Sequence, residues 1–153
     1  MKNLLKYPCL VIISLSVFVA NAKDPLIEAI TISESGARMQ AARMKVISEN
    51  IANAASVSIN KKRPYCRRIL LVKSKGGSGV VRYSVKQSFA VPFVKKYDPF
   101  HPHADKKGYI YLSNVNKDIE RADAAEAQVS YEANLKMMKA LNSMTTNTVE
   151  LFK

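Results

Sequence analysis

From Pro25 onwards, hydrophobic positions recur with the period of an α-helix. Their steps of three and four mark one face of a helix. Asp24 is a favourable N-cap, Pro25 is tolerated at the first helical position, and no further proline occurs between Pro25 and Ala55. The pattern predicts a helix over residues 23–55 whose seam is diluted by small and polar side chains: Leu26, Ile30, Ser33, Ala37, Gln40, Met44, Ile47, Ile51 and Ala54.

One glycine, Gly36, falls inside this predicted helix. A glycine in a helix interior costs about 1 kcal/mol relative to alanine. Two interpretations stay open: the helix tolerates the glycine, or Gly36 with Ala37 and Ala41 forms a notch for the close approach of another helix.

The helical period is lost over residues 56–116, where short strand-like patterns replace it. The β-rich run 69–72, the glycine-rich segment 76–79 and the alternating run 80–85 predict a β-hairpin. Alternation continues through 89–93, and residues 108–112 predict one further strand. The middle of the chain is therefore predicted to be a small β-rich module.

A second helix is predicted over residues 117–153, since no glycine or proline occurs there. Asn116 is a favourable N-cap, and Asp118 and Glu120 place negative charge in the first turn. Its apolar face is rich in alanine and methionine and comprises Ala133, Met137, Ala140, Met144 and Leu151, extended towards the start by Ile119, Ala122 and Val129.

The predicted fold class is α+β, with long N- and C-terminal helices pairing as a coiled-coil-like unit around the β-rich module. Neither helix carries a seam strong enough for a stable two-stranded coil alone. We therefore expect apolar surface to be shared with neighbouring subunits, and helices that become ordered on assembly.

Residues 1–22 have the pattern of a secretory signal peptide. Lys2 and Lys6 precede an apolar run over 10–20, and Ala20-Asn21-Ala22 is a small-x-small cleavage site. The alternative, an uncleaved anchor, is disfavoured because a spanning helix needs roughly 20 apolar residues. The predicted mature domain is 23–153, and Cys66 is its single cysteine.

Positive charge is concentrated in the middle of the chain. The net charge is +12, and residues 61–107 hold thirteen Lys and Arg against Asp98 and Asp105. Such asymmetry favours an acidic partner, which leaves open a secreted basic module that binds an anionic polymer or membrane surface.

The sequence contains no recognisable catalytic or cofactor-binding pattern. Both histidines, His101 and His103, flank one proline, and the glycine-rich segment 76–79 lacks the Gly-Lys-Ser/Thr ending of a phosphate-binding loop. We predict no enzymatic activity, no cofactor, no metal site, no small-molecule substrate and no nucleic-acid partner.

Three segments carry a resemblance to a known family. They are Ile-Ser-Glu-Asn-Ile-Ala-Asn-Ala at 47–54, Tyr-Asp-Pro-Phe-His-Pro-His-Ala-Asp-Lys-Lys-Gly-Tyr-Ile at 97–110 followed by Asn-Val-Asn at 114–116, and Ser-Tyr-Glu-Ala-Asn at 130–134. In this order they resemble the flagellar basal-body rod proteins, and in particular the proximal-rod subunits. The matching positions are Asn50, Ala52, Asn53, Pro99, His101, Pro102, Ala104, Asp105, Gly108, Tyr109, Asn114, Val115, Asn116, Tyr131, Ala133 and Asn134.

The resemblance implies a structural subunit that stacks helically through its terminal helices in the periplasm-spanning rod and transmits motor torque. The implied partners are copies of itself, other rod subunits and a ring component of the basal body, and the matching positions are implied to serve assembly. The leader over 1–22 departs from this family, whose members are exported without a classical signal peptide. Two explanations stay open: a variant that uses the general export pathway, or a start codon assigned upstream of the true one. Within the first segment, Asn50 and Asn53 are expected to cap the helix end and hydrogen-bond the turn into the β module.

Overall fold

The computed structural model describes residues 24–58, 63–74 and 79–151. Within them the chain forms helix α1 (Pro25–Asn53), strands β1 (Arg68–Ser74), β2 (Val81–Gln87), β3 (Val94–Tyr97) and β4 (Tyr109–Leu112), and helix α2 (Lys117–Glu150). The predicted leader 1–22 and glycine turn 76–78 lie outside the described residues. The α+β arrangement of two terminal helices and a β module between them is confirmed.

The start of α1 follows the predicted capping pattern. Asp24 Oδ1 accepts a hydrogen bond from Leu26 N at 3.0 Å, and Pro25 occupies the first turn. The predicted seam of α1 is also its least exposed face, with Ser33, Ala37 and Ile47 buried. The helical period of this segment therefore identified the face that packs.

Helices α1 and α2 pack against each other in antiparallel directions. Asn50 contacts Glu120 near one end of the pair, Arg43 contacts Asp123 and Glu126, and Gly36 faces Asn134 further along. At 1.5 Å per residue the two helices are about 44 and 51 Å long. The predicted pairing of the terminal helices is confirmed.

Strands β1 and β2 form the predicted hairpin, with Arg68 opposite Gln87 and Val72 opposite Tyr83 in an antiparallel register. The hairpin lies along α1, where Ser35 Oγ accepts a hydrogen bond from Val81 N at 3.0 Å. This contact places the first residue of β2 beside the middle of α1.

The second sheet pairs β3 with β4, and Val57 adds an antiparallel bridge to Leu112. The strand-like alternation at 89–93 does not form a strand, so that expectation was wrong. The Asn114 side chain binds the carbonyl oxygens of Ser88 and Val91, both at 2.9 Å, which holds this segment in a bend. Pro92 also lacks the N–H that a ladder needs.

Among the described residues the buried core is small and includes several polar side chains. Its apolar members are Ala37, Val46, Ile47, Cys66, Ile110 and Ala127, and its polar members are Ser33, Asn50, Ser113, Asn114 and Glu120. Buried polar groups are costly unless they are hydrogen-bonded, so their partners determine how the elements are joined. Neither described helix has the length and apolarity that crossing a bilayer requires.

Candidate assembly site

Asn50 lies at the centre of a buried polar cluster that joins α1, β1 and α2. Its Nδ2 donates to Arg68 O at 2.8 Å and to Glu120 Oε2 at 2.9 Å. Its Oδ1 accepts from Arg68 N and from the Tyr65 hydroxyl, both at 2.9 Å. One planar amide thus has four partners, in α2, at the start of β1 and in the segment that precedes β1. Asn50 therefore determines where the first β strand leaves the helix pair.

Glu120 supplies the negative charge of this cluster and is fully buried. Arg67 Nε donates to Glu120 Oε1 at 2.6 Å, and Arg67 Nη2 donates to Asp123 Oδ2 at 3.1 Å. Arg43 of α1 continues the network, 3.3 Å from Asp123 and 3.0 Å from Glu126. A carboxylate so deeply buried requires this pairing, because an uncompensated buried charge is strongly destabilising.

Tyr65 closes the cluster on the side of the β module. Burial raises the pKa of its hydroxyl above the ordinary value, and the nearby carboxylates of Glu49 and Glu120 act in the same direction, while Arg68 opposes them. The raised pKa favours the protonated hydroxyl, which is the form that donates to Asn50.

Asn114 is a second buried asparagine and binds the same incoming segment from the other side. Its Oδ1 accepts from Arg67 N at 2.6 Å, while its Nδ2 donates to Ser88 and Val91. The adjacent backbone N–H groups of Arg67 and Arg68 are therefore bound by Asn114 and Asn50. The first and second family-like segments meet on one short piece of chain.

The third segment contributes to the packing of the helix pair. Asn134 Nδ2 donates to Ser130 O at 2.9 Å, and its Oδ1 lies where a β-carbon added at Gly36 would come within 2.8 Å. Gly36 is buried. Ala37 is also buried, whereas Ala41 is exposed. The close-packing notch is therefore the correct interpretation for Gly36 and Ala37, and the inclusion of Ala41 was wrong.

The segment 97–110 forms a loop that Asp105 organises. Its Oδ1 accepts from Lys107 N at 2.8 Å and from Tyr109 N at 2.9 Å, and Tyr97 stacks edge-on against Tyr109 at 5.2 Å. The hydrogen bond from Tyr109 N is the main cause of a lowered pKa at Asp105. Gly108 adopts a φ of +78°, with Pro99 within 3.1 Å of any added β-carbon.

The other predicted positions are distributed among local roles and exposed surfaces. Asn116 caps α2, since its Oδ1 accepts from Asp118 N at 2.9 Å. The Asn53 side chain donates to the carbonyl of Glu49 one turn earlier, and the Asn53 backbone carbonyl accepts from Ser56 N just after the helix. The expected side-chain contact with the β module is made by Asn50. His101 Nδ1 accepts from His103 N at 3.1 Å, and Ala104 N donates to His101 O. Ala52, Pro102 and Ala133 are exposed, and Val115 and Tyr131 are partly buried.

The charged members of the cluster were not predicted as partners of one another. Glu120 was predicted only as a favourable charge in the first turn of α2, and Arg67 only as part of the basic module. Their pairing joins residues 53 positions apart.

The predicted apolar face of α2 is not the face that packs on α1. Ala127, Ser130, Asn134, Met138 and Leu141 provide the less exposed side. The predicted set is exposed, with Val129 at 68%, Met137 at 54%, Met144 at 56% and Leu151 at 85%. At about 100° per residue it lies roughly a quarter-turn round the helix. We call the exposed set Ile119, Ala122, Val129, Ala133, Met137, Ala140, Met144 and Leu151 the lateral stripe.

Within residues 24–58, 63–74 and 79–151, no group of three or more His, Cys, Asp or Glu side chains could hold a metal ion. The described residues provide buried polar contacts that join α1, β1 and α2, beside an exposed apolar stripe on α2.

Comparison with known proteins identifies the family. A family model described as the C-terminal region of the flagellar basal body rod FlgEFG proteins matches residues 106–151. The chain is 39% identical over 135 residues to the flagellar basal-body rod protein FlgC of Agrobacterium fabrum, covering 85% of this chain and 97% of that protein. It is 33% identical over 132 residues to FlgC of Aquifex aeolicus, covering 84% of this chain and 98% of that protein.

A third relative, FlgC of Borreliella burgdorferi, is 31% identical over 150 residues, covering 84% of this chain and 98% of that protein. These matches extend over both helices and the β module, in agreement with the three segments that the sequence shares with rod proteins. The chain therefore belongs to the FlgC family of flagellar basal-body rod proteins.

Proposed function

We propose that this protein is a structural, non-enzymatic subunit of the flagellar basal-body rod that joins neighbouring rod subunits through the lateral stripe. The observation that carries the proposal is the exposure of this stripe beside a helix face already filled by α1. A continuous row of exposed apolar side chains along a long helix is typical of a protein interface.

The buried cluster gives the stripe a fixed relation to the β module. Asn50, Arg67 and Glu120 connect both helices to β1, so a load applied to the helix pair reaches the module through hydrogen bonds and an ion pair. Side-chain networks of this kind rigidify a structure when they are fully satisfied. That rigidity suits a subunit that transmits torque, with the family-like positions serving assembly.

Co-assembly with purified rod subunits of the same bacterium tests the proposal. The variant Met137→Glu with Met144→Glu places two charges in the stripe, and we expect it to reduce co-sedimenting assemblies at least about tenfold, since interface charges without partners cost several kcal/mol. The matched control is Asn142→Glu with Thr146→Glu, which adds the same charge at exposed positions of α2 outside the stripe. Equal assembly by both variants would contradict the role of the stripe.

We also infer that the mature domain is residues 23–153, exported after cleavage of the 1–22 leader and located where the rod crosses the periplasm. The tripartite pattern of the leader supports this route. N-terminal sequencing of the protein from isolated basal bodies tests it: a first residue near Lys23 is expected, and an N-terminus at Met1 would contradict cleavage.

A further inference from the structure

A concave surface of the β module lies apart from the helix pair and from the lateral stripe. It is a groove of about 710 Å³ between the 102–107 loop and strand β4. Its size falls within the range of small-molecule and oligomer sites. We call it the basic groove, lined among others by Arg63, Phe93, Lys106, Lys107, Tyr109 and Tyr111.

The cations of the basic groove outnumber its carboxylates: among the described lining residues Asp105 is the one acid, and it interacts electrostatically with Lys107. Arg63, Lys106 and Lys107 are exposed and form no salt bridge with any described carboxylate. Asp105 also lines the groove, but its carboxylate accepts hydrogen bonds from the backbone N–H groups of Lys107 and Tyr109. The groove therefore keeps a net positive charge.

Copies of this chain do not supply the missing negative charge. Residues 61–107 hold thirteen of the 24 Lys and Arg but two of the 12 Asp and Glu. The rest of the chain has eleven basic and ten acidic residues, so it offers almost no surplus of anions. A stack of copies becomes more positive as it grows, which favours an external polyanion at the module.

The aromatic side chains of the groove narrow the class of polyanion. Tyr111 is 39% exposed, and Phe93 and Tyr109 are partly exposed beside it. Lys95 Nζ stands 3.9 Å from the centroid of the Tyr109 ring and 5.9 Å from that of Tyr111, which adds a cation at the aromatic wall. The negative face of an aromatic ring attracts the weakly positive C–H face of a sugar, whereas a simple carboxylate chain gains nothing from it.

We propose that the basic groove binds a carboxylate-bearing glycan, with the cations pairing with its carboxylates and the tyrosines packing against its sugar rings. Such a polymer is the chemistry of bacterial cell-wall strands, and the inference depends on the proposed function only in placing the protein beside one. The binding residues are separate from the lateral stripe.

The test measures binding of the full chain to a short soluble cell-wall glycan fragment that contains N-acetylmuramic acid. Comparison probes are a neutral chitin oligomer, poly-glutamate, phosphatidylglycerol vesicles and single-stranded DNA. We expect the muramic-acid glycan to bind most tightly, and its affinity to fall as salt is raised, because exposed charges are screened. Tighter binding to poly-glutamate, vesicles or DNA would overturn the proposal in favour of a protein, membrane or nucleic-acid partner.

Two matched triple variants distinguish specific binding in the basic groove from non-specific electrostatic attraction to the basic module. Arg63→Gln with Lys106→Gln and Lys107→Gln removes three charges at the groove, while Lys73→Gln with Arg82→Gln and Lys86→Gln removes three exposed charges on the hairpin. Losing three charge-assisted contacts should weaken glycan binding by roughly tenfold or more in the first variant, against less than about twofold in the second. Equal losses in both would overturn the site.

A third variant, Tyr111→Leu, leaves the charge unchanged and tests the aromatic contact. We expect about a fivefold or greater loss of glycan affinity, with circular dichroism showing an unchanged fold. Unchanged affinity in this folded variant would overturn the glycan assignment. Because all three variants retain the lateral stripe, failure here leaves co-assembly intact, and failure of the stripe variants leaves glycan binding intact.

Discussion

The side-chain amide of Asn50 donates a hydrogen bond to Glu120 Oε2 at 2.9 Å, and both side chains are buried. The two residues are 70 positions apart and belong to different helices. Both also contact the segment that enters β1, Asn50 through Arg68 and Glu120 through Arg67. The orientation of the β module relative to the helix pair therefore depends on these two side chains, and substitutions there should reveal it.

The substitution Glu120→Gln tests the charge in this cluster. It keeps the shape but removes the ion pair, which leaves Arg67 with Asp123 alone. We expect the free energy of unfolding to fall by about 2 kcal/mol, less than for a fully buried pair because Arg67 is partly exposed. Urea denaturation measures the change. The control Glu132→Gln, at an exposed position of α2, should shift stability by no more than about 0.5 kcal/mol.

The substitution Asn50→Ala removes four hydrogen bonds, to Glu120, to the Arg68 backbone and to the Tyr65 hydroxyl. We expect a loss of about 2–3 kcal/mol in the free energy of unfolding. The control is Asn53→Ala, whose amide bonds only the carbonyl of Glu49 in its own helix. A double-mutant cycle with Glu120→Gln should give a coupling energy above about 0.5 kcal/mol; additive effects would show that the two residues act independently.

The contact between Gly36 and Asn134 predicts that the effect of a substitution at Gly36 on stability depends on the side chain at position 134. Alanine in place of Gly36 gains about 1 kcal/mol of helix propensity, but its methyl group would meet Asn134 Oδ1. We expect Gly36→Ala to stabilise the protein clearly in an Asn134→Ala background and little or not at all in the parent chain. Thermal unfolding of the four proteins measures this difference. The same gain in both backgrounds would be inconsistent with a close-packing notch.

The raised pKa of Tyr65 predicts that the free energy of unfolding falls at alkaline pH. Since burial raises its pKa in the folded state, the folded protein holds the phenolic proton more tightly than the unfolded chain does. Its contribution is complete below the ordinary tyrosine pKa and is lost as pH rises through the folded value. Stability measured from pH 8 to 11 should decline less steeply in Tyr65→Phe than in the parent. The control Tyr83→Phe, at an exposed position of β2, should leave the slope unchanged.

Much of the local structure could be predicted because it depends on neighbours in sequence. Asp24 and Asn116 cap the helices as predicted, and the hairpin and final strand formed where glycine and alternating apolar residues indicated. The prediction of a strand over 89–93 was wrong because the conformation of this segment depends on a residue distant in sequence. Its apolar residues alternate as in a strand, but the Asn114 side chain, more than 20 residues away, donates hydrogen bonds to the carbonyl groups of Ser88 and Val91.

The amino-acid sequence by itself determined the two helices, the basic middle and the family, since periodicity, capping, charge and short motifs are properties of contiguous residues. Only the tertiary structure decided which face of α2 packs on α1. It also decided that the Asn134 side chain packs against Gly36, and that Asn50 and Glu120 belong to one buried cluster. Periodicity reveals that a helix has an apolar face but not what covers it. The partner of a buried polar group is chosen by the need to satisfy its hydrogen bonds once water is excluded, and that need arises only when distant elements come together.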